Sequence, residues 1–567
     1  MRNHICRKLI LALVLVFTGM LFAHAVSTSW FQIKIQDFQY ITKDGMKING
    51  TMYIPKDASS TTPAPAVITC SGGNNEYIMH EAVNTELARN GYVVVTFNPY
   101  KHGTSDIAAT DTMGADSILT YTAELSFVDS SRIGMEGHTL GGSYLCQAAA
   151  IHPELVRSLI CGDFINLNGS GEIMTGDKDF HCTWIFAKYG EYTINPGKDL
   201  ESPMLQAIFS LEGPVENGIT YKNQQNSYTK TAYLANTTNF GYHFSFEVIE
   251  RIVDTFGRTM GTPAVRPLPQ IWPAAMLGKA ISLFGLFYLL FAVLSALLHT
   301  SRINSNFPES DASLEKGSFF SVSLLWLSPI LGAAAYIPLY VLGKKILEPT
   351  MLFPQSDSNG LAIWAAFISC LCLLFIRLLD RRVQPAVALS VLLNERFGGI
   401  LKAFLQAACV FACCYACNLT VKWLFGTNIS LFCTNFSTFN PRKALAACSY
   451  FPVFMIYFFC TGMFQIKYLY FKTGHLNPLF NCVFFNTAGF AALLLLNFSS
   501  FPLTGNAMFH WGRFAFAPIL YMLPVLPVFG IVTHWCYVRT GKIYLSTFVN
   551  TFLFTWLFIA TNAMYLV

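Results

Sequence analysis

Beyond about residue 268 this chain becomes a succession of apolar runs, and nothing else in the sequence limits its fold as severely. A run of roughly 20 apolar residues is long enough to cross the hydrocarbon core as a helix, the form that satisfies its own N–H and C=O groups there. The runs fall at 272–299, 320–342, 360–379, 400–424, 445–465, 479–497, 514–536 and 543–566. Composition agrees: of 567 residues, 53% are hydrophobic and only 12% charged, against about 25% charged in a soluble domain. The expected partner of this half is the lipid bilayer. The net charge of +5 is modest. No basic patch with interleaved aromatics is present, which argues against nucleic acid as a partner.

No Asp or Glu lies in mid-run, which counts against a transport pathway through the helices. The polar residues His534, Asn481, Asn486, Asn550 and Asn562 read as interhelical hydrogen-bond partners, and Pro524 and Pro527 as the cause of a bend. Most of the sixteen cysteines lie in the apolar runs. Cys409, Cys413, Cys414 and Cys417 read as small buried hydrophobes and not as metal ligands. No spacing rule pairs Cys70, Cys146, Cys161 and Cys182.

At the other end, Arg2, Arg7 and Lys8 precede the apolar run Leu9–Phe22, a signal peptide or a first membrane anchor. Ala23-His24-Ala25 fits a cleavage pattern of small residues. Either version places the globular stretch from residue 28 to 268 outside the cytoplasm. One set of loops then faces inward with Arg302, Lys316, Arg377, Arg381, Arg382, Arg396, Lys467, Lys472, Arg539 and Lys542. The outer set carries Lys344, Lys345, Lys422, Arg442, Lys443 and Arg513. The bias favours this orientation. The chain thus divides into 1–27, anchor or signal peptide; 28–268, an extracytoplasmic globular domain; and 269–567, a transmembrane domain of about eight helices.

The globular part alternates strands and helices. Residues 41–55 form a hairpin turning at Asp44-Gly45. Strands are expected at Pro65–Cys70, Gly91–Phe97, Arg132–Glu136, Leu155–Cys161, Thr183–Ala187 and Thr231–Ala235, with helices at Glu76–Arg89, Ser143–Ala150 and Phe246–Phe256. This order argues for a mostly parallel sheet covered on both faces. Between strand and helix stands Gly137-His138-Thr139-Leu140-Gly141-Gly142, the layout of a G-x-S-x-G nucleophile elbow with threonine at its tip.

Five stretches carry a family resemblance: the Asp44-Gly45 hairpin ending in Tyr53-Ile54-Pro55; Ser71-Gly72-Gly73-Asn74-Asn75; Asn98-Pro99-Tyr100-Lys101-His102-Gly103-Thr104-Ser105; Asp129-Ser130-Ser131-Arg132-Ile133-Gly134; and the elbow. Over roughly residues 35–260 the chain resembles α/β-hydrolase-fold proteins of the dienelactone-hydrolase and prolyl-oligopeptidase-like type. The membrane half resembles no family. The resemblance implies an elbow nucleophile, a histidine to take its proton, and a carboxylate to orient that histidine. Leu140 would supply one oxyanion N–H, and Gly72 or Gly73 the other.

Each triad position departs from the pattern. Thr139 has a hydroxyl, but its branched β-carbon is stiff and adds a methyl in a tight turn. The family aspartate would fall near Thr193; Glu191 is the nearest carboxylate. Asp163, just past the preceding strand, is the substitute, its plain reading being a turn cap. For the base, His243 is the only histidine in Thr237–Ser245; an alternative alignment puts Asn239 there, which accepts no proton at neutral pH. His102 and His138 match positions that support the loop and the elbow.

Three function classes are consistent with these residues. The first is a multipass membrane protein with an extracytoplasmic hydrolase-like domain of degenerate triad, weakly active or a non-catalytic binding module. The second is an active membrane-bound esterase or peptidase using Thr139, His243 and Asp163 or Glu191. The third is a transporter or sensor. The ligand class is an extracytoplasmic small molecule, ester or peptide. None of the three calls for a metal or other cofactor.

Overall fold

The computed structural model describes residues 2–73, 76–193, 196–223, 225–261, 268–300, 318–380 and 387–565. Asn74, Asn75, Arg302, Lys316, Arg381, Arg382 and residue 566 of the last expected span lie outside the described residues.

The globular part is built on nine strands: β1 (Ile33–Ile41), β2 (Lys47–Pro55), β3 (Ala64–Cys70), β4 (Val93–Phe97), β5 (Val128–His138), β6 (Ser158–Gly162), β7 (His181–Tyr189), β8 (Thr220–Lys222) and β9 (Thr229–Thr238). They form one sheet in the order β1-β2-β4-β3-β5-β6-β7-β9-β8. Strands β4, β3, β5, β6, β7 and β9 run parallel, while the β1–β2 hairpin and β8 add antiparallel edges. The short edge strand β8 was not legible in the residue pattern.

Side chains alternate across the pleat, so Val67 and Val94 face one layer while Ile68, Val93 and Val95 face the other. The first layer meets α2 (Glu81–Arg89) and α7 (Phe246–Phe256), with Val83, Leu87, Ile249, Ile252 and Phe256 buried. The second meets α3 (Ala115–Ala123), α4 (Leu140–Ile151) and α6 (Pro203–Phe209); a short α5 (Ser170–Ile173) precedes the last of these. Helix α7 starts where Ser245 Oγ accepts from the Val248 N–H at 3.4 Å. The mostly parallel sheet covered on both faces is as expected.

The rest is helical: α1 (Arg2–Ser27), α8 (Trp272–Thr300), α9 (Phe319–Ile346), α10 (Ser356–Leu379), α11 (Leu389–Leu393), α12 (Phe397–Phe425), α13 (Pro441–Tyr468), α14 (Pro478–Ser499), α15 (Phe501–Thr504), α16 (Phe516–Met522), α17 (Leu526–Thr540) and α18 (Tyr544–Thr561). Among the described residues, eight helices are long and apolar enough to cross a membrane. A ninth crossing would be His510–Met522 with Leu526–Thr540, a pair bent by 51° at a break that contains Pro524. Asn486 and Asn550 bond between helices, while Asn481 and His534 bond to the segment that follows α13. Asn486 Nδ2 donates to Gln465 Oε1 at 3.0 Å, Asn550 Nδ2 to Thr533 Oγ1 at 3.1 Å, and His534 Nδ1 lies 3.1 Å from the Tyr470 hydroxyl. Helices α1 and α8 touch backbone to backbone, since a Cβ on Gly19 would stand 2.6 Å from the Gly278 carbonyl oxygen.

Three carboxylates join the two halves. Glu76 accepts from Asn435 Nδ2 at 3.0 Å and from Ser437 Oγ at 2.9 and 3.0 Å, and pairs with Lys443 of α13 at 3.4 Å. Glu81 pairs with Lys279 of α8. Glu86 Oε1 accepts the Ile271 and Trp272 N–H groups at 2.7 and 2.9 Å, meeting donors that the first turn of α8 leaves open. A small hairpin, Ser430–Leu431 with Thr434–Asn435, projects from the helical part into this seam. Lys443 and Asp357, placed outside the expected spans 445–465 and 360–379, belong to helices that start earlier.

Glu76 and Lys443 are both buried, so removing one partner strands the other, at a cost of about 3–5 kcal/mol. Glu76→Ala should lower the thermal unfolding midpoint of the full chain in detergent. Adding Lys443→Met should recover most of the loss.

Candidate functional site

Strand β5 ends at His138 and α4 begins at Leu140, which leaves Thr139 alone to make the turn. Its φ is 48° and ψ −118°, a conformation that β-branched residues rarely adopt. The surroundings hold it there. The Thr139 N–H donates to the Gly162 carbonyl at 2.7 Å. Gly137 and Gly142 approach so closely that a Cβ on Gly137 would reach the Gly142 backbone at 2.5 Å. Gly72 faces the tip, and a Cβ there would collide with Thr139 Oγ1 and the His138 carbonyl. Leu140 opens α4, where first-turn N–H groups lack intrahelical acceptors. His102 bridges the carbonyls of Gly73 and Tyr100, so it supports the loop, as the resemblance implies.

Asp163 follows β6 with φ 53°. Its Oδ1 accepts the Ala187 N–H at 2.8 Å, and its Oδ2 accepts from Asn239 Nδ2. Burial pushes this carboxyl up to about 6. Asn239 follows β9, the last parallel strand. Glu191 binds the backbone of the same loop, accepting the Asn239 N–H at 2.7 Å and the Phe240 N–H at 3.0 Å. Burial raises it to about 7. Glu191 therefore fixes the loop that carries Asn239 and orients no imidazole.

His243 is buried, and among the described residues neither ring nitrogen has a hydrogen-bond partner. Its ring meets His80 at 4.6 Å and His138 at 4.4 Å between centroids. Burial, then the neighbouring rings of His138 and His80, hold it well below the usual histidine range. Behind them Glu136 lies 2.9 Å from His80 Nε2 and accepts from the Tyr242 hydroxyl at 3.1 Å. The expected relay from Thr139 through His243 to Asp163 or Glu191 is not formed. Asp163 faces an amide, Glu191 faces backbone, and His243 faces other histidines.

Thr139, Leu140, Gly72, Gly73, Asp163, Asn239 and His243 all border one cavity of about 730 Å³, within the range of about 300–1,000 Å³ usual for small-ligand sites. Its far wall comes from the helical half: Lys344, Asp357, Arg513, Phe514, Ala517 and Tyr521. Phe514 stacks on Tyr192 at 5.3 Å and 14°. Among the described residues no group of three or more His, Cys, Asp or Glu side chains is placed to hold a metal ion.

Sheet order, a single-residue turn at positive φ and an acid after β6 together decide the architecture. The N-terminal part of this chain has the α/β-hydrolase fold. Solved structures of that fold overlay on it. An S-formylglutathione hydrolase from Agrobacterium tumefaciens is 13% identical, with 41% of this chain and 97% of that one covered at a TM-score of 0.32. A putative dienelactone hydrolase from Klebsiella pneumoniae is 15% identical, covering 40% and 98% at 0.30. A thioesterase domain from the curacin biosynthetic pathway is 11% identical, covering 39% and 99% at 0.29. No family model and no curated protein matches the chain.

The α/β-hydrolase domain holds two features that the residue pattern did not give. Its cavity takes its far wall from residues of the helical half, visible in sequence only as charges near the ends of apolar runs. The buried Glu136–His80 pair had one weak sign, a glutamate inside the apolar strand Ile133-Gly134-Met135-Glu136.

The raised carboxyls set a pH dependence. Glu191 binds its proton more tightly folded than unfolded, so its contribution is full below 4.5 and is lost as pH rises to about 7. Glu191→Gln carries no such loss. The melting temperature of that variant, minus that of the native chain, should therefore grow as pH rises from 4.5 to about 7.

Proposed function

We propose that this protein is a multipass membrane protein whose α/β-hydrolase domain lies outside the cytoplasm and binds a ligand in the old substrate cleft, with hydrolysis weak or absent. One observation carries the reading: the carboxylate after β6 is bonded to Asn239, the residue that the alternative alignment puts at the base position. An amide takes no proton from a nucleophile near neutral pH. Thr139 keeps the strained turn and its hydroxyl but has no imidazole bonded to it. His243, the histidine that the sequence offers as base, is buried among His80 and His138, and ionising it there is unfavourable.

The orientation rests on the loop lysines and arginines, more of which fall on the side away from the domain. Retention of the first helix as an anchor is supported by the contact of Gly19 with Gly278, which cleavage would abolish.

The test uses the full chain in detergent. A fluorophosphonate probe should leave the native chain unlabelled and should label the double variant Thr139→Ser, Asn239→His. The double variant should turn over a p-nitrophenyl ester at least about a hundredfold faster than the native chain, the scale on which triad members matter. Labelling of the native chain that Thr139→Ala abolishes would establish an enzyme instead.

A further inference from the structure

The cavity above Thr139 is bordered on its far side by the helical half, and that half brings charge to it. Lys344 stands in the last turn of α9, Asp357 in the first turn of α10, and Arg513 in the turn leading into α16. All three lie where candidate spans meet the globular part. Most charges bordering the cavity are committed. Asp357 accepts from Lys344 Nζ and from the Tyr340 hydroxyl, each at 2.5 Å. Asp163 is bonded to Asn239 and Ala187. Burial pushes Asp199 up to about 7, and Lys198 and Glu201 are exposed to solvent.

Arg513 is different. Its guanidinium has no ion-pair or hydrogen-bond partner among the described residues, although the residue is half-buried. It rests 5.4 Å from the Phe514 ring centroid. Arginine presents a rigid donor fork that fits carboxylate and phosphate oxygens, and partial withdrawal from water strengthens that bond. The lining of the cavity as a whole is largely apolar and includes Phe164, Ile165, Leu167, Phe240 and Phe514.

We infer that this cavity receives an anionic amphiphile, with its carboxylate or phosphate on Arg513 and its apolar part along Phe164, Leu167 and Phe514. The inference rests on the binding-module reading and deepens it by naming the ligand class. A cavity at the ends of membrane helices can draw such a molecule from the bilayer or from water, and the head chemistry is the same.

The experiment uses the full chain in nanodiscs of zwitterionic lipid with radiolabelled dodecyl phosphate. Saturable binding is expected, at least tenfold weaker in Arg513→Gln and unchanged in Arg442→Gln, which removes the same charge from the exposed first turn of α13. Dodecanol and inorganic phosphate should compete at least tenfold less well than dodecyl phosphate. Displacement by phosphatidate placed in the nanodisc supports a bilayer source; binding that phosphatidate leaves intact supports an aqueous one. A diazirine on the dodecyl chain should crosslink the native protein in peptides containing Phe164 or Phe514, which keeps the test open if Arg513→Gln does not fold. Binding indifferent to Arg513, equal competition by dodecanol, or crosslinks confined to other surfaces overturn the inference. Fluorophosphonate labelling of the native chain would overturn the non-catalytic reading while leaving an Arg513-dependent binding result standing.

Discussion

The seam between the two halves depends on carboxylates buried with their counter-charges. Glu76, Glu81 and Glu86 lie on one short stretch leading into and along α2, and each reaches a different part of the helical bundle. Burying a charge is expensive unless it is paired and hydrogen-bonded. A seam made this way holds one relative placement, because sliding the domain would strand Lys279 or Lys443 without a partner. The cavity exists because that placement is held. Its floor is the strained turn at Thr139, and its far wall is made of residues from the ends of α9, α10 and the turn before α16.

The same stretch links the seam to the candidate site. Glu76 follows closely on the loop carrying Gly72 and Gly73, which border the Thr139 tip. Ser71 Oγ donates to the Glu76 carbonyl at 3.2 Å. The loop that would offer an oxyanion donor is thus tied to the helical half through Glu76. The opposite wall is tied by other means: Glu191 clamps the backbone of Asn239 and Phe240, and Asn239 engages Asp163. Such a cleft keeps the geometry of a hydrolase turn, and among the described residues no imidazole is bonded to the Thr139 hydroxyl.

Much of the α/β-hydrolase domain was legible because its elements carry local signals. The Asp44-Gly45 turn, the buried run Val93–Phe97, the glycines flanking Thr139 and the amphipathic stretch Phe246–Phe256 each announce their own structure. The three-residue edge strand β8 and the hairpin at 430–435 escaped, since pairs that short have no pattern of their own. In the site, Asp163 and Asn239 were both in view as alternatives. Nothing local says that two side chains separated by 76 positions share a hydrogen bond. His243 was the natural histidine to choose from its place before α7, but its ring turns into the His80 and His138 cluster.

The sequence by itself determined the class of each half: a parallel sheet wrapped by helices, then apolar helices long enough for a bilayer. These follow from periodicity, turn residues and run length, which act over a few neighbours at a time. Only the tertiary structure decided which carboxylate meets which partner, where the imidazoles turn, and that the cleft is walled by the helical half. Those outcomes depend on contacts between residues far apart in the chain, from 76 positions for Asp163 and Asn239 to several hundred at the seam, and burial and charge pairing select them only once the chain has folded.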